Sequence, residues 1–215
     1  MIKFPHDEAE IKRLQELFKY ESPLWASGIQ YIAGIDEVGR GPIAGPVVAA
    51  AVILPANFML WGVNDSKKLS ENKRLALEQA IKENAVAWAI GAVGARDIEK
   101  YNILEATKIA MARAVHKLAM NPEHLLIDAL KLPALTIPQT AIIKGDAQSA
   151  SIAAASILAK CHRDRMMKIY DLKYPGYGFA QNSGYPSPAH KRAVFANGAC
   201  VIHRSTFVLK PIKGE

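Results

Sequence analysis

Two adjacent acids between two apolar runs constrain the fold of this chain more than any other feature of its sequence. Asp36 and Glu37 follow the apolar residues 31–35, and a glycine-rich turn then leads into a second apolar run over 47–54. The connection is short enough that the two runs should pair as antiparallel strands. Two carboxylates at the end of a buried strand need a cation or a dense set of hydrogen bonds. A solvated strand end is the alternative, but we favour a metal site, because the neighbouring glycines leave room for a ligand to approach the backbone.

The composition is that of a globular protein. The chain has 215 residues, of which 50% are hydrophobic and 22% charged, which suits one large or two small domains with a proper core. The longest apolar run, residues 42–55, is interrupted by Gly45 and Pro46 and is too short to cross a bilayer, and the N-terminus carries no apolar signal region. Cys161 and Cys200 are isolated, which fits inert thiols in a reducing compartment. We therefore expect a cytoplasmic protein with no membrane contact.

The positive charge is concentrated at one end of the chain. The formal net charge is +7, and residues 160–215 hold ten of the 27 Lys and Arg but only three of the 20 Asp and Glu. The rest of the chain has 17 of each, so the whole excess lies in this C-terminal quarter. Such asymmetry is typical of a protein that binds an acidic polymer across one face. On charge alone, a solvated basic helix surface explains it equally well.

Short apolar runs alternate with amphipathic segments, which predicts an α/β protein with parallel strands and crossover helices. Further strands are expected over 86–93, 125–127 and 141–143. Helices are expected over 8–20, from Ser70, over 97–119, over 149–171 and near 188–197. Ser22-Pro23 should end the helix over 8–20, and Asn121-Pro122 the helix over 97–119. No repeat and no long linker divides the chain, so we expect a single domain over residues 1–215.

Three acids occupy equivalent places in this pattern. Asp36, Asp128 and Asp146 each end a short apolar strand or follow one closely, and Glu37 adjoins the first. Because ligands of open α/β sheets collect outside the strand ends, these carboxylates can meet although they are remote in sequence. Four clustered acids repel one another and need a cation, and ligation by oxygen alone points to Mg²⁺ or Mn²⁺. Two such ions about 4 Å apart are a standard arrangement for phosphodiester cleavage, so the acids and the basic C-terminal quarter together indicate a nuclease.

Several distinctive motifs follow one another along the chain. The longest covers residues 35–42 and 44–51 and reads IDEVGRGP and AGPVVAAA. The others cover 65–69, 127–128, 144–146, 151–157, 159–160, 163–164, 184–185 and 203–204 with Phe207. In type and order these motifs resemble those of bacterial ribonuclease HII. The resemblance extends over residues 20–207, and Arg40 favours this type over the related ribonuclease HIII, which has lysine at that place.

The resemblance implies an RNase H-like fold. Such a fold is a five-stranded mixed sheet flanked by helices, here with an N-terminal helical segment over 1–28 and a C-terminal substrate-binding extension over about 172–215. The resemblance also implies an endonuclease that hydrolyses the RNA strand of RNA–DNA hybrids and cuts 5′ of single ribonucleotides in duplex DNA. The expected products carry 3′-hydroxyl and 5′-phosphate ends, and the expected roles are primer removal and ribonucleotide excision repair. A monomer is expected, and contact with a replication clamp or a polymerase stays open.

The same resemblance assigns roles to individual residues. The metal ligands and catalytic groups are expected to be Asp36, Glu37, Asp128 and Asp146, holding two Mg²⁺ or Mn²⁺ ions during catalysis. The substrate contacts are expected to be Gly39, Arg40 and Gly41 at the ribose 2′-hydroxyl, Tyr185 at the deoxyribose that follows, and Lys67 and Lys144 at phosphates. The 2′-hydroxyl distinguishes the two sugars, and glycine lets a backbone reach it.

The chain departs from the family pattern at two places. Ala129-Leu130 follow Asp128 where glycine and asparagine are usual, which adds a Cβ near the site. Asn182-Ser183 stand before Gly184 where histidine and lysine are common, which removes one phosphate contact. Neither change removes a metal ligand, so the expected junction specificity stands.

Two other functions compete with this one. A nucleic-acid-binding module without catalysis has no use for four acids facing a phosphate, and a nuclease for DNA junctions has no use for a glycine-arginine-glycine turn. Asp164 is better explained by a helical ion pair with Lys160, and His190 and His203 by structural hydrogen bonds. The aromatic residues within 170–179 are better explained by hydrophobic docking of the tail than by stacking on bases.

Overall fold

A five-stranded mixed sheet forms the centre of the molecule in the computed structural model, which describes residues 8–56, 58–63, 66 and 69–207. The strands are β1 (Ile32–Val38), β2 (Val47–Ile53), β3 (Ala87–Val93), β4 (His124–Asp128) and β5 (Gln139–Ile142). Their order within the described part of the chain is β3-β2-β1-β4-β5. The strands β1, β2 and β3 pair antiparallel, whereas β4 runs parallel to β1 and β5 parallel to β4. The mixed sheet and the antiparallel pairing of β1 with β2 are therefore confirmed.

Helices cover both faces of the sheet. They are α1 (Glu8–Leu17), α2 (Glu21–Ala26), α3 (Glu71–Asn84), α4 (Ala95–His116), α5 (Ala150–Lys173), α6 (Phe179–Asn182) and α7 (Pro188–Asn197). Alternate residues of β2 face opposite layers: Val48 and Val52 pack with α3 and α5, whereas Ala49 and Ile53 pack with α4. Because β2 is buried on both faces, its sequence is apolar throughout instead of alternating.

Small residues bring two helices close to the sheet. A Cβ on Gly34 of β1 would lie 2.0 Å from the carbonyl carbon of Ser151 in α5. A Cβ on Gly91 of β3 would likewise lie 2.0 Å from the carbonyl oxygen of Ala110 in α4. Neither position accepts a side chain, so the run of small residues that opens α5 serves close packing against β1.

Serine caps begin three helices. The side chain of Ser70 accepts a hydrogen bond from the N–H of Lys73, that of Ser149 from Ile152, and that of Ser187 from His190. Each cap satisfies one backbone donor that has no partner inside its helix. The helix starts predicted at Ser70, near 149 and near 188 are confirmed.

The N-terminal helix differs from the sequence prediction. α1 ends at Leu17 instead of residue 20, and a second short helix, α2, follows directly. Ser22-Pro23 were expected to end the first helix, but they lie in the first turn of α2. Proline is tolerated there because the first turn needs no backbone N–H.

The helix predicted over 97–119 is also not continuous. It covers Ala95–His116 and is broken at Asn102, whose φ is 65°. The side-chain oxygen of Asn102 accepts hydrogen bonds from the N–H groups of Leu104 and Glu105, at 2.9 and 3.1 Å. Asn102 therefore caps a new helical segment, which apolar periodicity alone does not reveal.

The C-terminal elements dock on the end of α5. A buried cluster of Ala44, Met167, Phe179 and Ile202 joins them, and the tyrosines within 170–177 pack against it. The expected hydrophobic docking of the tail aromatics is therefore confirmed. Because Ala44 belongs to the loop between β1 and β2, this docking brings the residues after α6 next to the glycine turn.

No disulfide and no helix long and apolar enough to span a bilayer occurs among the described residues. Cys161 and Cys200 are free thiols. Burial raises the pKa of Cys161 to about 11, so this thiol stays protonated and unreactive at neutral pH.

Candidate active site

Three of the predicted metal ligands meet at one end of the sheet. β1 and β4 are adjacent and parallel, with Ile35 beside Ile127, so the residues that follow them come together. Asp36, Glu37 and Asp128 each place a carboxylate oxygen within 4.8 Å of the other two. The topology thus creates an acidic cluster from residues that are far apart in sequence.

The cluster lies in a cleft of about 390 Å³. The cleft is lined by Asp36, Glu37, Val38, Ser66, Arg74, Asp128, Asp146, Ser156, Lys160, Arg163 and Tyr185. The fourth predicted ligand, Asp146, stands in the wall of this cleft on the 3-10 turn over Gly145–Ala147, outside the group of three. All four predicted acids therefore face one space.

Backbone groups hold two of the acids in place. The N–H of Glu37 donates to Oδ1 of Asp36 at 2.7 Å, and the N–H of Gly145 donates to Oδ1 of Asp128 at 2.6 Å. Glu37 receives a hydrogen bond from Arg40 at 3.3 Å on one oxygen, while its other oxygen is buried without a hydrogen bond from any described residue. The cluster thus carries more negative charge than its described neighbours compensate.

Burial and mutual repulsion make the ionised acids costly. Burial raises the pKa of Asp36 well above its usual value, and the charges of Glu37 and Asp128 raise it further, against a hydrogen bond from Ser156. Burial also raises the pKa of Glu37, although the charge of Arg40 opposes this. Oxygen donors, unneutralised charge and the unpartnered Glu37 oxygen together fit a hard divalent cation such as Mg²⁺ or Mn²⁺.

Serine and basic residues of the cleft were missed by the sequence reasoning. Ser66 and Ser156 share a buried hydrogen bond of 2.9 Å, and the hydroxyl of Ser156 also lowers the pKa of Asp36. Arg74 and Lys160 line the cleft and both pair with Asp164, which confirms the predicted helical ion pair of Lys160. The available signal was a polar residue within an apolar, small-residue run, as at Ser156.

The two glycines of the turn have different reasons to be glycine. Gly39 has φ of 95°, and a Cβ there would lie 2.3 Å from Nε of Arg163 and 2.7 Å from the carbonyl oxygen of Pro46. The fold therefore requires Gly39. Gly41 is exposed, and its nearest neighbour would be the Tyr185 ring at an ordinary 3.7 Å. Packing does not require Gly41, so its missing side chain leaves the backbone beside Tyr185 open to a ligand.

Two buried histidines support the backbone of Tyr185. The N–H of Cys200 donates to Nδ1 of His203, so the proton of this ring is on Nε2, which donates to Nε2 of His190 at 3.1 Å. Nδ1 of His190 then donates to the carbonyl oxygen of Tyr185 at 2.8 Å. All these hydrogen bonds are satisfied when both rings are neutral, and burial lowers the pKa of both. The pair is placed as a structural support behind Tyr185.

Of the two predicted phosphate-binding lysines, Lys144 is described by the structure and is not among the residues that line the cleft. Lys144 is exposed, with a left-handed φ of 55°, directly before the turn that carries Asp146. Lys67 lies outside the described residues. The cleft itself presents Arg74 and Lys160 instead.

The two departures from the family pattern have local structural consequences. Ala129 adopts φ of 52°, a conformation that favours glycine, directly after Asp128. Asn182 accepts a hydrogen bond from the N–H of Gly184 and donates one to the carbonyl oxygen of Tyr177, both at 2.7 Å. Asn182 therefore shapes the loop that leads to Tyr185.

The basic C-terminal quarter is not a plain solvated face. Arg163 and Arg204 are buried, and Lys160, Arg165 and Lys168 form ion pairs with acids of α5 or α3. At least five of the basic residues that the structure describes within 160–207 are thus held by contacts within the fold. Charge counting alone therefore overstates the cationic surface of this segment.

Comparisons with known proteins agree with this architecture. A family model described as Ribonuclease HII matches residues 33–210. The protein named Ribonuclease HII from Desulfitobacterium hafniense is 56% identical over 198 residues, which cover 92% of this chain and 76% of that protein. The solved ribonuclease H2 of Pyrococcus horikoshii OT3 aligns with a TM-score of 0.70 at 26% identity, over 82% of this chain and 93% of that one. The RNase HII solved in complex with PCNA from Archaeoglobus fulgidus gives a TM-score of 0.71 at 28% identity, over 85% and 97%.

Proposed function

We propose, from the premise that this chain belongs to the ribonuclease HII family, that its acidic cleft cuts duplex DNA on the 5′ side of a single embedded ribonucleotide. As a member of that family it is a metal-dependent endonuclease that acts on the RNA of RNA–DNA hybrids. One observation carries the finer proposal: three carboxylates within 4.8 Å share a cleft with Tyr185, whose ring lies against the exposed Gly41. Chemistry and sugar recognition would then occur side by side.

The acids are the proposed metal ligands. Asp36, Glu37 and Asp128 would hold one Mg²⁺ or Mn²⁺ between them, and Asp146 in the cleft wall would complete a second site. The bound metal would activate the attacking water and stabilise the leaving 3′-oxygen, which leaves 3′-hydroxyl and 5′-phosphate ends.

The protein prepares this cluster before a substrate arrives. The N–H groups of Glu37 and Gly145 fix one oxygen each of Asp36 and Asp128, and both residues line the cleft. The hydroxyl of Ser156, on α5, lowers the pKa of Asp36 and so favours its ionised form. Because these donors are part of the folded backbone and core, little reorganisation is needed during the reaction.

Gly39, Arg40 and Gly41 would select the sugar. The fold determines the backbone course at Gly39, whereas Gly41 is exposed beside the Tyr185 ring and the Arg40 side chain is half-exposed. A ribose lying on this turn would bring its 2′-hydroxyl to the peptide groups, and the Tyr185 ring would pack on the next sugar. Lys144, and Lys67 outside the described residues, are proposed to contact phosphates.

A duplex with one ribonucleotide in a DNA strand tests the proposal. In Mg²⁺ or Mn²⁺ we expect one cut 5′ of that ribonucleotide and none in the matched all-DNA duplex. Asp36→Asn should bind the duplex without cutting it, whereas Asp171→Asn, outside the residues that line the cleft, should cut at the wild-type rate. Wild-type protein that leaves the ribonucleotide duplex intact would refute the proposal.

The alternative is a binding module that has lost catalysis. It predicts equal binding by the wild type and Asp36→Asn and no cleavage by either. The unneutralised acids favour catalysis, because carboxylates facing a phosphate weaken binding unless a metal lies between them. Gel-shift and cleavage measurements on the same duplex therefore separate the two functions.

The proposed cellular roles follow from the substrate. An enzyme that cuts at RNA–DNA junctions would remove primers and misincorporated ribonucleotides during DNA replication and repair, in the cytoplasm and as a monomer. The C-terminal part of the chain, over about 172–215, is proposed to bind the duplex, because its docked loop carries Tyr185 to the cleft.

A further inference from the structure

Two buried arginines stand behind the glycine turn and form no ion pair with any acid that the structure describes. Arg163 of α5 is 0% exposed and Arg204 of the tail is 2% exposed. Every hydrogen bond that their guanidinium groups make to described residues goes to a main-chain carbonyl oxygen. Buried charges are usually paired with an opposite charge, so this arrangement needs an explanation.

Arg204 holds both ends of the turn. Its Nη2 donates to the carbonyl oxygens of Gly39 at 2.6 Å and Gly45 at 2.8 Å. Its Nη1 donates to the carbonyl oxygen of Arg40 at 3.0 Å, and its Nε to that of Gly45 at 3.0 Å. One rigid guanidinium therefore joins the residues before and after Gly41.

Arg163 ties the same turn to the loop that carries Tyr185. Its Nε and Nη2 donate to the carbonyl oxygens of Pro46 and Ala44, at 3.0 and 3.2 Å. Its Nη1 donates to the carbonyl oxygen of Ser183 at 2.9 Å, two residues before Tyr185. The carbonyl oxygen of Gly184 completes the connection by accepting from the N–H of Ala44 at 3.3 Å.

These hydrogen bonds fix a turn whose backbone would otherwise be flexible. Gly39 and Gly45 both have positive φ, and such glycines leave the unbound turn many accessible conformations. Keeping these two guanidinium groups charged and buried costs free energy. Burial and the charge of Arg163 lower the pKa of Arg204 to about 9. Apolar side chains would fill the same space with less desolvation, but they could not bind carbonyl oxygens.

We infer that Arg163 and Arg204 are positioning residues that hold the ribose-reading turn and Tyr185 in one geometry, so that the two sugars of an RNA–DNA junction are read together. This inference rests on the proposed recognition of a single ribonucleotide. The planar guanidinium is essential to it, because an ammonium group cannot hold several carbonyl oxygens at fixed angles.

Lysine substitutions test the inference, because they keep the positive charge and remove the planar guanidinium group with its several N–H donors. We expect Arg163→Lys and Arg204→Lys each to lower the ratio of kcat/KM on a single-ribonucleotide duplex to kcat/KM on a continuous hybrid by about tenfold. The matched control is Arg165→Lys, also on α5. This substitution removes a bidentate ion pair in which Nη1 and Nη2 of Arg165 donate to the two carboxylate oxygens of Glu78, at 2.7 and 2.6 Å. The control should lower the melting temperature and leave the ratio unchanged.

A double-mutant cycle separates positioning from general support. If Arg163 acts through Tyr185, Arg163→Lys should lower the ratio no further in a Tyr185→Ala background. Losses that multiply, or equal losses on both substrates, would overturn the inference. Gly184→Ala perturbs the same connection without touching an arginine, because its Cβ would lie 2.3 Å from the carbonyl oxygen of Ala44, and it should reproduce the selective loss.

The outcomes also separate this inference from the proposed function. Wild-type protein that fails to cut at a single ribonucleotide would end the proposed function itself. Wild-type cutting with an unchanged ratio in folded lysine variants and in Gly184→Ala would end only the role of the two arginines.

Discussion

Replacing Asp36 by asparagine should stabilise the metal-free protein while it abolishes cleavage. Asp36 is 6% exposed and lies with Glu37 and Asp128 in a group whose oxygens are within 4.8 Å. Asparagine has nearly the same shape, and its oxygen can still accept the N–H of Glu37, now 2.7 Å from Oδ1. Its amide N–H₂ can donate to the neighbouring carboxylates, so a repulsion becomes a hydrogen bond.

The expected size of this effect follows from the distances. Two unit charges at 4.8 Å repel by about 3 kcal/mol at an effective dielectric constant near 20. Arg40 offsets part of the charge of Glu37, and partial protonation of Asp36 relieves more, so we expect a net gain of about 1–3 kcal/mol. For a chain of this size each kcal/mol raises the melting temperature by about 2–4 °C.

The gain should depend on pH and on metal. Because burial raises the pKa of folded Asp36 above its unfolded value, the wild type takes up a proton and recovers stability as the pH falls through that folded pKa. The advantage of Asp36→Asn should therefore be largest near pH 8 and shrink on acidification. Calorimetry in EDTA measures it, with Asp171→Asn as the control.

Adding Mn²⁺ should reverse the order of stability, since only the wild type keeps all the proposed ligands. An Asp36→Asn variant that melts below the wild type in EDTA would refute the electrostatic reasoning. A variant that gains as much from Mn²⁺ as the wild type would remove Asp36 from the metal site.

Three further expectations concern single residues. Ala129→Gly should raise the melting temperature, because φ of 52° costs alanine about 1 kcal/mol, and a lower value in calorimetry would contradict this. Tyr185→Ala should reduce cleavage at a single ribonucleotide about tenfold more than cleavage of a continuous hybrid; equal losses in parallel kinetic assays would mean that the ring does not read the junction. Stability in urea should fall as the pH drops below about 6.5, because burial keeps the folded pKa of His190 and His203 below the unfolded value. His190→Asn should flatten that slope, and an unchanged slope would assign it to other groups.

Local features of the fold could be predicted from the sequence because they depend on neighbouring residues. Short continuous apolar runs, serine caps and a short glycine turn determine β1, β2 and the starts of α3, α5 and α7. The break at Asn102 and the helix through Ser22-Pro23 were missed, because a side-chain cap and a tolerated first-turn proline leave the apolar pattern nearly unchanged.

The acids of the site were visible in the sequence because each ends a short apolar run or follows one closely. The apolar pattern of the sequence could not predict the distances between these carboxylates, since those distances depend on the order of the strands in the sheet. Asp128 reaches Asp36 only because β4 pairs directly with β1, and Asp146 stands in the wall of the same cleft outside the closest group. Ser156 was hidden because a serine in a small-residue helix is usually a packing residue.

The chemistry of this protein could be predicted from its residues: carboxylates at the ends of apolar runs, a turn of glycines and arginine, and motifs that resemble one family. How Gly39 and Gly41 differ, and what Arg163 and Arg204 contact, follows only from the folded chain. These arginines bind main-chain carbonyl oxygens. Every residue carries a carbonyl group, so no residue type marks the partner, and only the folded path of the chain selects which ones meet.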